Sequence, residues 1–160
     1  MQAFEAFFNA SRPTLNTIYY PGPHTDMSPS KTLSFQNSRI IYVDMDEDAI
    51  QALQKEDCEA YTENAKKFNP GKVDVLLMFN FYYEEPLKHV ANGGYVICNK
   101  HWSGGIFTDM LKQKDFEFVG ALTTDTNGAV TLDRENLKNY SERPNHNKGK
   151  AESLFVFRKK

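Results

Sequence analysis

Five short polar stretches each follow a run of apolar, aromatic or β-branched residues, and these stretches hold the side chains able to do chemistry. PGPHTD follows the first run and contains Gly22, His24 and Asp26; DMDED, starting at Asp44, closes the second and contains Met45 and Asp46. TENA contributes Glu63 and Asn64, NFYY contributes Asn80 to Tyr83, and NKHWSGG contributes His101 and Trp102. A carboxylate accepts hydrogen bonds from hydroxyl or ammonium groups, and an amide both accepts and donates. Gly22 has no Cβ and lets backbone approach a ligand closely. An imidazole at 101 can serve as a base near neutral pH, and the Trp102 ring can stack on a planar substrate or close a pocket. Each has a plainer reading. Asp44 or Asp46 can cap a helix starting near Glu47. Phe81, Tyr82 and Tyr83 can pack a loop, Trp102 can do the same, and His101 can be solvated. A loop histidine such as His24 more often touches neither a ligand carboxylate nor a phosphate than does so.

The elements that must position these residues alternate. NTIYY is a strand, and SPSKTLSF is a short helix with Ser28 at its N-cap and Pro29 at the first helical position. SRIIYVD (38–44) is a strand, and EDAIQALQKE is a helix with Ala49, Ile50 and Leu53 on one face. CEAY (58–61) is a short third strand and ENAKKFNPG a turn stopped at Pro70-Gly71. VDVLLMFN (73–80) is a near-continuous apolar run, which suits a parallel strand covered on both faces. EEPLKHVANGG reads as a helix from about Glu84, ended at Gly93-Gly94. YVICN is the next strand, IFTDMLKQ a helix, and FEFVGAL and SLFVFRK the last two strands. Strands separated by helical segments predict βαβ units and a mostly parallel sheet in an α/β domain. In such sheets ligands bind beyond the carboxyl ends of the strands, where the five polar stretches fall.

A chain of 160 residues bounds one domain, 1–160. Residues 1–14 form an N-terminal helical extension with Phe4, Phe7 and Phe8 on one face, and 123–150 form a long polar loop insertion between the last two strands, in which TLDRENLKNY could make one helix. A net charge of −2 gives no general attraction to nucleic acid or anionic membrane. The short basic tracts FRKK and NHNKGK read as surface charge. The two cysteines, Cys58 and Cys98, have no metal-ligand spacing and, in apolar surroundings, read as buried free thiols in a reducing cytoplasm. The acid run from Asp44 is a helix N-terminus and solvated face, so no metal site is expected. No apolar run approaches a membrane span, and the N-terminus lacks the pattern of a signal peptide.

From about Leu15 to Lys160 the arrangement resembles the Rossmann-like (class I) S-adenosylmethionine-dependent methyltransferases. The resemblance implies a three-layer fold with a mostly parallel seven-stranded sheet ending in an antiparallel hairpin. It implies a cofactor, S-adenosylmethionine, held by the loop after the first strand (Tyr20, Pro21, Gly22, Asp26), by the acid ending the second (Asp44, then Met45), by Glu63 and Asn64 after the third, and by Asn80. In the family these elements hold methionine, ribose and adenine in turn; Asp44 would take the ribose hydroxyls, with Asp46 as second choice. NFYY resembles the Asn-Pro-Pro-Tyr motif of amino-methylating members, which makes Asn80 and Tyr83, with His101, the catalytic candidates; His101 and Trp102 face the substrate side. The departures are specific: one glycine where the family's loop usually has three, and no proline in NFYY. The function expected is methyl transfer to a small substrate. The alternative is a methyltransferase-like domain without catalysis, serving as a binding or partner module. With only 1–14 and 123–150 available to cover a substrate, a homo-oligomer or a protein partner completing the pocket is a further expectation. A nucleotide-binding Rossmann domain is disfavoured because no GxGxxG occurs.

Overall fold

The computed structural model describes residues 7–8, 14–79, 82–99, 105–124, 130–133 and 154–160. Its centre is one sheet of eight strands: β1 (Thr17–Pro21), β2 (Arg39–Asp44), β3 (Glu59–Thr62), β4 (Val73–Met78), β5 (Val90–Asn99), β6 (Phe116–Thr124), β7 (Val130–Asp133) and β8 (Leu154–Lys159). The strand order is β3-β2-β1-β4-β5-β8-β6-β7. The pairs from β3 to β5 are parallel, and β8 runs antiparallel between β5 and β6. The expected parallel sheet with its antiparallel ending is therefore present. The addition is β7, a short strand inside the segment read as a loop, which pairs with the outer side of β6 through Thr123↔Thr131 and Thr124↔Val130. Thr131 to Asp133, the start of the expected helix TLDRENLKNY, thus lie in a strand, because the open edge of β6 offers unpaired backbone groups that this segment pairs with. The rest of that segment lies outside the described residues.

The central strands are buried on both faces, and successive side chains point to opposite sides. One face gathers Tyr19, Val43, Leu76, Met78, Val96, Cys98, Phe107 and Phe155. The other gathers Ile18, Tyr20, Tyr42, Val75, Leu77, Ile97, Ile50 and Leu53. Helix α1 (Glu47–Lys55) covers the second face; Asp46 caps it by accepting from the Ala49 N–H at 3.1 Å. Helix α2 (Gly105–Leu111) places Ile106, Phe107 and Met110 on the first face, with Phe107 stacked on Phe155 at 4.2 Å between centroids. Of the N-terminal extension, Phe7 and Phe8 are described; both are helical and pack on Tyr95.

The remaining connections are shorter than expected. SPSKTLSF folds as two 3-10 turns, Ser28–Lys31 and Leu33–Phe35, with Met27 rather than Ser28 in the cap position. The segment read as a helix from Glu84 to Gly94 is a 3-10 turn, Glu85–His89, after which Val90 already enters β5. Pro86 begins that turn without an N–H to donate, and Val90 is fully buried as the strand partner of Val73.

Asp74 is the charged residue inside the otherwise apolar β4, and its Oδ2 accepts from the backbone of Asn16 at 2.7 Å and Thr17 at 3.0 Å. It anchors the start of β1 to β4. Asp74→Ala strips two donors of a charged acceptor and is expected to destabilise the protein by about 2 kcal/mol in urea unfolding. The two thiols differ in access. Cys98 is fully buried, and burial pushes its thiol far up; Cys58 is only partly buried. A thiol reagent is expected to titrate one group in the native protein and the second only after denaturation.

Candidate functional site

The chain reverses its direction of sheet growth between β1 and β4: β2 and β3 build outward on one side of β1, and β4 and β5 on the other. A crevice at such a switch point, beyond the carboxyl ends, is where an open α/β sheet takes a ligand. Gly22, Asp44, Glu63 and Tyr83 all come to this rim because each follows the strand before it.

β1 ends at Pro21, and the Gly22 N–H donates to the Val43 carbonyl at 2.8 Å, which carries the β1–β2 pairing into the loop. The loop takes a left-handed backbone twice, at Gly22 (φ +66°) and again at His24 (φ +53°). A non-glycine residue held there is strained, although histidine tolerates the region better than most residues. The turn it makes has a consequence: the His24 N–H points at Asp44 and donates to Oδ2 at 2.9 Å. The Asp46 N–H donates to the other oxygen, Oδ1, at 3.0 Å. Asp44 is thus gripped by one backbone donor per oxygen. Each oxygen keeps a second lone pair, so the carboxylate is a fixed acceptor with one position left on each oxygen. Asp46, not Asp44, is the helix cap. Its carboxylate also lies 3.8 Å from His24 Nε2, with both side chains well exposed. Met45, between the two acids, is 71% exposed, a large apolar side chain at the mouth of the crevice.

The other expected residues fall as follows. Tyr20 is buried beneath the loop; its hydroxyl donates to Asp26 Oδ2 at 2.9 Å, and the Phe79 ring meets it edge-on at 5.4 Å. Asp26 Oδ1 accepts from the Ser28 N–H at 2.9 Å, so the protein already uses both oxygens of Asp26. The Glu63 N–H donates to the Asp44 carbonyl at 3.0 Å, which ties the end of β3 to the end of β2. Asn64 Oδ1 accepts from the Lys66 N–H at 2.9 Å and shapes the following turn. Tyr82 turns away from the crevice and its hydroxyl accepts from Gln113 at 2.8 Å. Tyr83, half-buried, lies within electrostatic reach of Asp44; burial first, and that carboxylate second, hold its phenol above its ordinary range. Asn80, His101 and Trp102 lie outside the described residues.

Three features were not anticipated. One is the use of His24 as a backbone donor. The signal for it was faint: a loop histidine beside proline, a residue type that accepts left-handed φ. The second is Tyr19, fully buried on β1, whose hydroxyl has no hydrogen-bond partner among the described residues. The third is Asn99 at the end of β5, whose Oδ1 is also buried without a partner among them. Alternation in a strand marks Tyr19 only as core. Among the described residues no cluster of three or more acids, histidines or cysteines could hold a metal ion, and no helix is long and apolar enough to cross a membrane.

The sheet order, the antiparallel β8 and the rim of polar strand ends define the Rossmann-like methyltransferase fold. The solved structures similar to the chain include the plantazolicin methyltransferase BpumL in complex with SAH, at a TM-score of 0.65 and 14% identity over 99% of this chain and 82% of that one. TrmN from Thermus thermophilus matches with a TM-score of 0.61 and 14% identity, over 98% of this chain and 48% of that one. A TehB-like SAM-dependent methyltransferase from Corynebacterium glutamicum ATCC 13032 matches with a TM-score of 0.60 and 16% identity, over 99% of this chain and 88% of that one. No protein-family model and no curated protein matches the sequence.

Proposed function

We propose that this protein binds S-adenosylmethionine at the carboxyl rim of β1 to β4 and transfers its methyl group to a small substrate. The observation that carries the reading is the Asp44 carboxylate, held by the His24 and Asp46 N–H groups so that one lone pair stays unused on each oxygen. That is the acceptor geometry a vicinal ribose diol requires. Solved methyltransferases of the same fold, BpumL among them in complex with SAH, support it.

In this reading Gly22 and the backbone around Tyr20 and Pro21 lie along the methionine part. Asp26 keeps lone pairs for the ammonium while Tyr20 and Ser28 hold it in place. Met45 and Tyr83 flank the base. Asn64, with Oδ1 engaged in its turn, offers its amide nitrogen to the base, and Glu63 stands beside it. Asn80, Tyr83 and His101 remain the candidates for the methyl-acceptor side, and Trp102 the candidate for stacking the substrate. The cofactor supplies the reactive methyl group; the chain's part is binding, orientation and exclusion of water. A single domain with an N-terminal helical extension suits a small substrate or a second subunit that completes the pocket. The two free thiols suit a reducing cytoplasm.

One observation favours a second reading, a domain that keeps the fold without transfer: the loop after β1 has a single glycine, Gly22, between two prolines that have no N–H to offer a ligand. Calorimetric titration with S-adenosylhomocysteine, with NAD and ATP as controls, tests the cofactor. Selective binding of the first is the expected result, and absence of binding to a folded protein refutes the reading. Binding without turnover of labelled S-adenosylmethionine across a panel of small amines, phenols and carboxylates would favour the second reading.

A further inference from the structure

A buried hydroxyl without a partner is uncommon, because leaving it unpaired costs about 1–3 kcal/mol. Tyr19 is 0% exposed and its hydroxyl is such a group among the described residues. It sits on the face of β1 that turns toward the connections after β3 and β4. The Phe68 ring, from the turn after β3, lies 5.9 Å from the Tyr19 ring at an interplanar angle of 30°. Tyr61, at the end of β3, lies 5.3 Å beyond Phe68 at 34°. On the other side stands Tyr83, from the segment after β4, close enough to Tyr19 to act on its ionisation and close enough to Asp44 to feel its charge. The Tyr19 ring therefore packs against the connection after β3, and Tyr83 from the connection after β4, itself within electrostatic reach of Asp44, comes within electrostatic reach of it. Burial keeps this phenol protonated throughout the physiological range, so it is a donor looking for an acceptor.

We propose that the Tyr19 hydroxyl reads the cofactor's base, donating to one ring nitrogen of the purine while Asp44 holds the ribose. The inference rests on the proposed cofactor site and adds a residue of the core to it. A strand residue serves here because β1 is fixed by its neighbours on both sides. A hydroxyl held by the sheet selects one acceptor position. Among the described residues the group is idle in the free protein; in this proposal binding removes its cost.

Tyr19→Phe removes one oxygen and leaves the ring packing intact. Affinities for S-adenosylhomocysteine and for its 1-deaza, 3-deaza and 7-deaza analogues are measured by calorimetry on the wild type and on Tyr19→Phe, with thermal unfolding of both free proteins. Three results are expected together. Tyr19→Phe binds S-adenosylhomocysteine about tenfold more weakly, the worth of one buried hydrogen bond. One deaza analogue is weakened to a similar extent against the wild type but not further by the mutation, the coupling that identifies a direct pair. The free variant unfolds no earlier than the wild type. Equal affinities of both proteins for every ligand would overturn the inference while leaving the cofactor site standing. So would a variant that unfolds several degrees earlier, since the hydroxyl would then be paired without ligand. A wild type that binds none of the ligands would overturn the cofactor site and this inference with it.

Discussion

Asp44→Ala is expected to weaken S-adenosylhomocysteine binding by at least about a hundredfold, without unfolding the protein. In the proposed site two hydrogen bonds from the ribose to a charged acceptor would be lost, each worth about 1.5–3 kcal/mol, and a hundredfold corresponds to about 2.8 kcal/mol. The loop is affected too, because Asp44 holds the His24 and Asp46 N–H groups at 2.9 and 3.0 Å. His24 keeps its left-handed backbone, φ +53°, while that bond rewards it. Asp44→Asn is the sharper control. An asparagine offers one oxygen and one NH2 group, so a donor must face either the His24 or the Asp46 N–H. The neutral variant should therefore lose almost as much affinity as alanine. Calorimetry with both variants, with their unfolding curves as a check on the fold, measures this. An Asp44→Asn protein that binds like wild type would show that the acid is not the ribose acceptor.

Gly94→Ala is expected to destabilise the protein by about 3 kcal/mol, at the upper end of what added atoms cost in a filled space. A Cβ there would lie 2.9 Å from the Ala91 carbonyl oxygen and 3.0 Å from the Asp74 carbonyl oxygen, and 3.0 Å from Val90 Cγ1. Two of these contacts are backbone, which cannot swing aside as the end of a side chain can. The glycine lies where the β4–β5 register shifts between Val73 and Val75. Gly93 beside it makes a useful contrast. It has φ +76° but only the Arg158 side chain near a Cβ, at 3.7 Å. Gly93→Ala should therefore cost only about 1 kcal/mol, the conformational penalty alone. Urea unfolding of the pair separates steric from conformational cost; equal losses would contradict the account.

The same two glycines show where sequence reading stops. Gly93-Gly94 after EEPLKHVA looks like a helix end, since glycine ends helices through left-handed φ. The same freedom also serves an irregular strand, and only the partner strand β4 decides between them. Pairing is a non-local contact and leaves no period in a short segment. Val130 to Asp133 became a strand for the same reason: the open edge of β6 recruits them.

The parallel core of the sheet was legible in the chain. The runs TIYY, RIIYVD, VDVLLM and YVICN are largely apolar on both faces, which suits parallel strands between two layers. With that, the polar residues following each run had to meet at one rim, and Asp44 could be named from its place at the end of a run. Tertiary structure alone decided what those residues do there. It directed Asp26 to Tyr20 and Ser28, turned Tyr82 toward Gln113, and left Asp44 with one donor and one unused lone pair on each oxygen. It also buried the Tyr19 hydroxyl without a partner among the described residues. Alternation along a strand states which side a residue takes. What its polar atom meets there depends on loops from other strands, and those meet only in the folded chain.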